Sequence, residues 1–302
     1  MSREWLASKE RAKPWAVRTL VWIALRLGRR SARAVLIPAV AYFVLFGGRA
    51  RCASRGYLQR VLARRPTVVD VYRHFYAFAA VALDRVFFLS DRWGEFDIRL
   101  TGEELLLDKL GQPGGCILLG AHLGSFECLR TLGRRNKVGI NMVMFEQNTP
   151  IVASVTRAIN PAIEKEIISL GEPGSMLKII ERLDSGYSIG MLADRAISGR
   201  GLLQLPFLGG VASFPTAPFR VSAVAGRPVI LMVGLYRGGN RYDVHFEMLA
   251  DAFPHSRSDR DAVVERSMRL YVDRVEHYCR QAPYNWFNFF PYWIDESDAN
   301  KT

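Results

Sequence analysis

The sequence contains few cysteines and histidines, and this scarcity limits the metal and redox chemistry that it can support. Its four cysteines form no Cys-x-x-Cys pair and have no histidine at ligand spacing; they are Cys52, Cys116, Cys128 and Cys279. The five histidines are isolated from one another, so their spacing predicts no metal-ligand cluster. We therefore expect no disulfide framework, no structural zinc and no other bound metal. This cysteine usage is compatible with a reducing cytoplasm.

Acidic residues are scarce in the first 65 residues, which contain 2 Asp or Glu against 15 Lys or Arg. The rest of the chain carries 26 basic and 27 acidic side chains, so the net charge of +12 belongs to the N-terminal end. An arginine-rich end of this kind indicates a nucleic acid, an anionic lipid surface or an acidic protein as partner.

The N-terminal region also lacks an uninterrupted apolar run of the ~20 residues that a bilayer span needs. Its apolar stretches cover residues 15–27 and 34–47, and Pro38 lies within the second. Their Trp and Arg residues favour the headgroup region, and a nucleic-acid arm has no need of so much Leu, Ile, Val and Phe. We therefore predict a retained membrane-associating segment and no nucleic-acid partner. The alternatives are a secretory signal and two ordinary buried helices.

The remainder of the chain predicts an α/β domain, and 49% hydrophobic residues in a chain of 302 suffice for a large core. Helical periodicity extends from residue 49 to about residue 89. Short β-rich runs then alternate with helix-like segments; the runs cover residues 96–100, 116–119, 138–145, 167–170, 188–192, 202–207, 229–236 and 242–248. This order predicts a largely parallel or mixed central sheet flanked by helices. We assign residues 1–92 to the basic helical region and residues 93–302 to the α/β domain. This domain ends in a helix and an aromatic tail, residues 284–293.

His122 comes directly after the first strongly apolar strand of the predicted sheet, where such proteins bind their ligands. Gly124 allows the backbone to turn before a helix begins near Ser125. On one continuous helix His122 and Glu127 would lie about 140° apart, so they can meet only if His122 belongs to the preceding turn. A carboxylate in contact would fix the imidazole tautomer and make the other nitrogen a base. The alternative is a packed histidine beside a solvated acid.

Two later segments bear on the chemistry at His122, and the first is predicted to end at the same edge of the sheet. Asp194 and Arg195 come after another apolar strand, and a cation there suits an anionic substrate or the charge that develops in acyl transfer. Residues 214–218 are predicted to open the next helix and to offer free backbone amides to a phosphate. Arg220, four residues after Thr216, is either a phosphate ligand or a solvated helix arginine.

Four blocks in this order resemble the lysophospholipid acyltransferase superfamily. They are the His122 and Glu127 spacing, the strand ending in Asp194 and Arg195, the Phe214-Pro215 step and the strand that starts at Pro228. Within that superfamily, the segments HLGSFE and PFLGGVASFPTAPF and the basic apolar N-terminus are most similar to the late acyltransferases of lipid A biosynthesis. The resemblance covers about residues 20–280.

This resemblance implies a membrane-associated acyltransferase on the cytoplasmic face of the bacterial inner membrane, held there as a peripheral, monotopic or singly anchored protein. It implies transfer of a fatty acyl group from acyl carrier protein or acyl-CoA to a hydroxyl of a lipid or glycolipid acceptor, without a cofactor other than that co-substrate. His122 would be the general base and Glu127 its orienting acid, with no covalent intermediate because a thioester is already activated.

The resemblance also implies substrate-binding positions. Arg195, with Asp194, would bind a phosphate or stabilise charge, and Phe214 and Thr216 would shape the acceptor site. Thr216 replaces the glutamate found in glycerophospholipid relatives, which argues against a glycerol-phosphate acceptor. An acidic carrier protein and an anionic membrane surface both suit the basic N-terminus.

Two other functions remain as alternatives. Ser188 lies in a G-x-S-x-G sequence, as in a serine esterase, but it precedes its strand, whereas a nucleophile elbow comes after one. A non-catalytic lipid-binding membrane protein is the second alternative. Ser175 begins an S-x-x-K sequence and is predicted to be a helix N-cap. The tail aromatics, Trp286 among them, are predicted to form a core or membrane-facing cluster.

Overall fold

The computed structural model describes residues 14–110, 112, 114–129, 133, 139–144, 159–161, 166–170, 174–195, 201–254 and 256–294. Three helices come first: α1 (Pro14–Phe46), α2 (Gly48–Leu62) and α3 (Val68–Leu89). A short 3-10 turn (Trp93–Glu95) leads into the α/β part. Its helices are α4 (Glu103–Leu110), α5 (Ser175–Asp184), α6 (Ala217–Ala225) and α7 (Arg257–Gln281). The sequence also predicts a helix-like segment over residues 126–135, and half of those residues lie outside the described ones.

The strands form one large sheet and one hairpin. They are β1 (Asp97–Thr101), β2 (Ile117–Gly120), β3 (Ile140–Met144), β4 (Ile167–Ser169), β5 (Ser188–Leu192), β6 (Leu202–Phe207), β7 (Gly210–Pro215), β8 (Val229–Tyr236) and β9 (Arg241–Ala250). The seven-stranded sheet has the order β1-β9-β8-β2-β5-β3-β4. Only the pairing of β8 with β9 is antiparallel in it. The prediction of a largely parallel or mixed sheet flanked by helices is confirmed.

The hairpin of β6 and β7 differs from the prediction, which placed Phe214 and Pro215 at the start of a helix. Both residues end strand β7, and Phe214 pairs with Leu203 of β6. Leu208 and Gly209 form the connection and both have positive φ, 50° and 73°. Two such residues in a row suit the twist of a two-residue hairpin. Helix α6 begins only at Ala217.

The N-terminal helices bend sharply at two glycines. Helix α1 is kinked at Gly28, whose φ is 84°, and continues through Pro38. At Gly47 the chain turns by 93° between residues 17–46 and helix α2. Among the described helices no single one is long and apolar enough to cross a bilayer, but this bent pair meets the criterion by length and composition.

A buried carboxylate fastens α1 to the sheet. Asp84 of α3 is fully buried and pairs with Arg29 at 2.6 Å and Arg33 at 2.8 Å. The Tyr242 hydroxyl of β9 donates to the same carboxylate at 2.8 Å. Residues of α1 and α2 also share hydrophobic clusters with the sheet. The N-terminal region is therefore packed onto the α/β part, and a domain boundary at residue 92 stays a prediction.

Candidate active site

Strands β2 and β5 are parallel neighbours, and this pairing brings two distant segments together. Gly120 lies opposite Leu192, and the Ala193 amide donates to the Gly120 carbonyl at 3.0 Å. The residues after each strand therefore leave the sheet side by side at its carboxyl edge. His122 lies just beyond β2, and Asp194 lies just beyond β5.

His122 and Asp194 are joined by two hydrogen bonds. The His122 Nδ1 lies 2.8 Å from one carboxylate oxygen, Oδ1. The His122 main-chain amide donates to the other oxygen, Oδ2, at 3.1 Å. The Asp194 side chain is fully buried, whereas 33% of the His122 side chain is exposed. The imidazole thus spans the distance between a buried carboxylate and the protein surface.

These contacts determine the charges of the pair. Burial alone would raise the pKa of Asp194, but His122 and Arg195 outweigh it and hold that pKa below its usual range. An ionised carboxylate only accepts hydrogen bonds, so Nδ1 carries the proton and Nε2 carries a lone pair. Burial and the Arg195 charge lower the pKa of His122, although Asp194 opposes them. A neutral imidazole with a free Nε2 can act as a base.

The turn that carries His122 depends on Gly124. Gly124 has φ of +67°, and a Cβ there would lie 1.9 Å from the Gly234 carbonyl oxygen of β8. The Gly124 amide donates to the Asn285 carbonyl at 2.8 Å, and the Ser125 amide donates to Gly234 at 2.7 Å. The turn is therefore held between β8 and the C-terminal tail, at a distance that only a glycine allows.

Glu127 does not make the contact with His122 that its spacing suggested. Its carboxylate lies 2.8 Å from Nε of Arg85, on helix α3. The Nδ1 position on His122 is occupied by Asp194, because β5 is the direct neighbour of β2. The prediction that Glu127 binds the imidazole is therefore corrected: the carboxylate in contact is that of Asp194, for which the sequence indicated a role in substrate binding.

Arg195 lies beside the pair and faces the tail. One of its terminal nitrogens donates to the Phe287 carbonyl at 2.5 Å, and its guanidinium lies 5.1 Å from the centre of the Phe290 ring. Its Nε is buried without a hydrogen-bond partner among the residues that the structure describes. A buried N–H without a partner is costly, so this group is suited to a substrate oxygen.

The other predicted substrate positions form contacts away from the pair. Phe214 is fully buried against Phe207 and Tyr292. The Thr216 amide and hydroxyl both donate to the Gly201 carbonyl, at 2.8 and 3.0 Å. This amide is therefore not free for a phosphate.

Arg220 lies on the exposed face of α6, where its side chain pairs with Asp261 at 3.3 Å. Within the described part of the chain, none of Phe214, Thr216 and Arg220 has a hydrogen bond or ion pair with His122.

The C-terminal tail contributes contacts that the sequence did not predict. The Trp286 indole Nε1 donates to Asp194 Oδ2 at 3.1 Å, and the Tyr292 hydroxyl donates to the Asp194 carbonyl at 2.6 Å. Trp286 is a core residue, as predicted, but it also binds the carboxylate. A buried tryptophan needs a hydrogen-bond acceptor for its indole N–H. The sequence indicates this requirement but does not identify Asp194 as the acceptor.

The two serine motifs have structural roles. Ser188 is the buried first residue of β5, and its hydroxyl accepts the Cys116 amide at 3.1 Å, at the opposite end of the strand from Asp194. It is not in a strand-to-helix turn, as a nucleophile elbow requires. The N-cap of α5 is Gly174, so the prediction for Ser175 was wrong; its hydroxyl donates to the Ser169 carbonyl at 2.7 Å. Among the described residues no cluster suits a metal ion.

The fold is thus an α/β sheet whose carboxyl edge carries a histidine bound to a buried carboxylate, an arrangement suited to proton transfer. Residues 2–294 match the family of bacterial lipid A biosynthesis acyltransferases. The match covers almost the whole chain, and the chain belongs to this family. It is therefore an acyltransferase.

Comparison with curated proteins gave no match. Among solved structures, the chain is similar to the 1-acyl-sn-glycerophosphate acyltransferase PlsC from Thermotoga maritima, at 14% sequence identity and a TM-score of 0.38. That alignment covers 80% of this chain and 97% of the other.

Proposed function

We propose that this protein transfers a fatty acyl group from a thioester donor, acyl carrier protein or acyl-CoA, to a hydroxyl of a lipid or glycolipid acceptor, with His122 as general base. The observation that carries the proposal is the double contact of Asp194 with the amide and Nδ1 of His122. It fixes both the tautomer and the direction of the ring. Nε2 is then available to the acceptor hydroxyl.

In the proposed reaction, Nε2 takes the proton of the acceptor hydroxyl while its oxygen attacks the thioester carbonyl carbon. The tetrahedral intermediate collapses with cleavage of the carbon–sulfur bond. The departing thiolate receives the proton from the imidazolium, which restores neutral His122. No acyl group is attached to the enzyme, because the thioester is already activated.

Arg195 is proposed to stabilise the negative charge that develops on the carbonyl oxygen or to bind a phosphate. Its cation is half-buried and is held by the Phe287 carbonyl, so little reorganisation is needed when charge develops. A catalytic role for Glu127 stays a prediction. Its ion pair with Arg85 fixes the first residues after the His122 turn, which supports an effect through the turn.

The proposed location is the cytoplasmic face of the bacterial inner membrane. Helix α1 exposes many large apolar side chains: Trp15, Trp22, Leu25, Leu27, Val35, Ile37, Tyr42, Leu45 and Phe46. Large apolar side chains exposed along one helix suit a surface that contacts a membrane. Its basic neighbours suit anionic lipids, and they also suit an acidic carrier protein.

The test is transfer of a labelled acyl group from either donor to total bacterial membrane lipid, with the acylated products, and hence the acceptor, identified by mass spectrometry. We expect His122→Ala and Asp194→Asn to lower the rate by about a thousandfold or more. We expect Glu127→Gln to retain more activity than Asp194→Asn. His277→Ala, at an exposed histidine on α7, is the matched control and should keep wild-type activity.

Two results would contradict the proposal. Transfer by His122→Ala at the wild-type rate would exclude His122 as the base. Release of free fatty acid without an acylated lipid would indicate a hydrolase.

A further inference from the structure

We infer that Trp286 is a positioning residue for the reaction: its indole N–H holds the Asp194 carboxylate in the orientation that directs His122. This inference rests on the proposed function. The contact is the 3.1 Å hydrogen bond from Trp286 Nε1 to Asp194 Oδ2. Nothing in the sequence motif around His122 indicates this residue, which lies 92 positions beyond Asp194.

The hydrogen bonds of Asp194 show what the indole adds. Oδ1 receives the His122 Nδ1, and Oδ2 receives the His122 amide. Among the described residues, Trp286 is the only side chain besides His122 that donates to this carboxylate. Without it, one oxygen keeps a single main-chain donor, and the carboxylate gains freedom to rotate about its terminal torsion, which is intrinsically broad.

Trp286 can act as a fixed support because its own position is fixed from several directions. Its side chain is fully buried, and Tyr57 of α2 packs against the ring at 5.0 Å. The Trp286 carbonyl accepts a hydrogen bond from Nε2 of the buried His74 at 2.8 Å. The Nδ1 of His74 is bonded to the Ser54 hydroxyl, also at 2.8 Å. Helices α2 and α3 therefore hold Trp286 in place, through Tyr57 and His74.

The residues next to Trp286 hold the catalytic turn itself. The Phe287 amide donates to the His122 carbonyl at 2.8 Å. On the other side, the Asn285 carbonyl accepts the Gly124 amide at 2.8 Å. Three successive tail residues thus bind the turn and the carboxylate, and a displacement of Trp286 would change the distance between them.

The indole is a neutral donor, so it stabilises the carboxylate without changing the charge of the site. The titratable groups of the described residues that interact electrostatically with Asp194 are His122, Arg195, Tyr271, Cys279 and Tyr292. Loss of the indole N–H leaves the carboxylate a stronger acceptor for the Nδ1 proton. The protonated form of the His122 imidazole is then favoured. The acid limb of the pH–rate profile, where the rate falls because His122 becomes protonated, therefore moves to higher pH.

The experiment compares Trp286→Phe with Trp293→Phe in the full-length protein. Trp293 is a matched control, since its indole also donates a hydrogen bond within the same aromatic cluster, but to the Phe207 carbonyl at 2.8 Å. For Trp286→Phe we expect kcat to fall about ten- to a hundredfold, as for loss of a hydrogen bond to a charged group, with KM for the donor unchanged. Trp293→Phe should stay within about twofold of wild type.

A double-mutant cycle separates positioning from a merely structural role. In the Asp194→Asn background, Trp286→Phe should cost less than about threefold, because the group it positions is gone. Trp286→His keeps a ring N–H and should recover part of the activity. Thermal unfolding of each variant checks that it is folded, and Trp286→His also serves as the test variant if Trp286→Phe is not.

The inference is overturned if Trp286→Phe lowers kcat no more than Trp293→Phe does. It is also overturned if Trp286→Phe lowers kcat by the same factor in the Asp194→Asn background as in the wild type. It is also overturned if KM alone rises while kcat is kept. A failure of the proposed function looks different: His122→Ala and Asp194→Asn would then retain transfer, whatever the effect at Trp286.

Discussion

Asp194 binds His122 twice, through the ring nitrogen Nδ1 at 2.8 Å and through the main-chain amide at 3.1 Å. A carboxylate that binds ring and backbone together fixes the side-chain torsions of the histidine as well as its tautomer. A change to any group that touches this pair should therefore alter the basicity or the position of the imidazole.

Arg195→Gln should move the acid limb of the pH profile for kcat/KM to higher pH. The Arg195 charge lowers the pKa of His122, with burial as the larger cause, so its removal raises that pKa. The base is active when neutral, and a higher pKa means that a higher pH is needed. Arg220→Gln, at the exposed arginine of α6, is the control. An unshifted limb in Arg195→Gln would contradict the electrostatic coupling.

Gly124→Ala should destabilise the protein by about 3 kcal/mol or more and remove most of the activity. The new Cβ would lie 1.9 Å from the Gly234 carbonyl oxygen, so the His122 turn would have to move. Gly226→Ala is matched in backbone conformation, with φ of +64°, but has nothing within 4 Å of its Cβ. Gly226→Ala should lower the free energy of unfolding, measured in urea, by only about 1 kcal/mol. Equal costs would show that the close approach is not important.

His74 should make the protein less stable as the pH falls from about 6.5 to about 4. Burial lowers the pKa of His74 to about 4. The unfolded chain therefore binds more protons in that range, and stability present above pH 6.5 is lost on acidification. The expected loss is about 3 kcal/mol.

The measurement is the melting temperature as a function of pH, with His74→Asn compared with the parent. The control is His277→Asn, which removes a histidine from an exposed position. If His74→Asn shows the same loss between pH 6.5 and 4 as the parent, another group is responsible.

Asp84→Ala should destabilise the protein by about 3–5 kcal/mol, because it leaves Arg29 and Arg33 half-buried without their carboxylate. Helix α1 should detach first and become sensitive to limited proteolysis. Asp261→Ala removes an exposed partner of Arg220 and should cost less than about 1 kcal/mol. Equal urea midpoints for the two variants would contradict the role of Asp84.

Several strands were predictable because they are short β-rich runs bounded by turn residues. The predicted bounds of Ser188–Leu192, Leu202–Phe207 and Val229–Tyr236 agree with the structure at both ends. Strand β7 was not predicted, because the Phe-Pro step at its end is also typical of the start of a helix. The two positive-φ residues before it, Leu208 and Gly209, give the hairpin its turn.

By itself the sequence determined that His122, Asp194 and Arg195 each come after an apolar strand, and so lie at one edge of a parallel sheet. It also determined the glycine that the turn needs. Only the tertiary structure decided that Asp194, and not Glu127, binds the imidazole, and that Trp286 binds Asp194. The physical reason is that strand neighbours in this sheet are not consecutive in the chain: β5 pairs with β2 although β3 and β4 lie between them in sequence. Local spacing relates only residues that are near one another along the chain, whereas these contacts depend on which strands and which tail residues pack side by side.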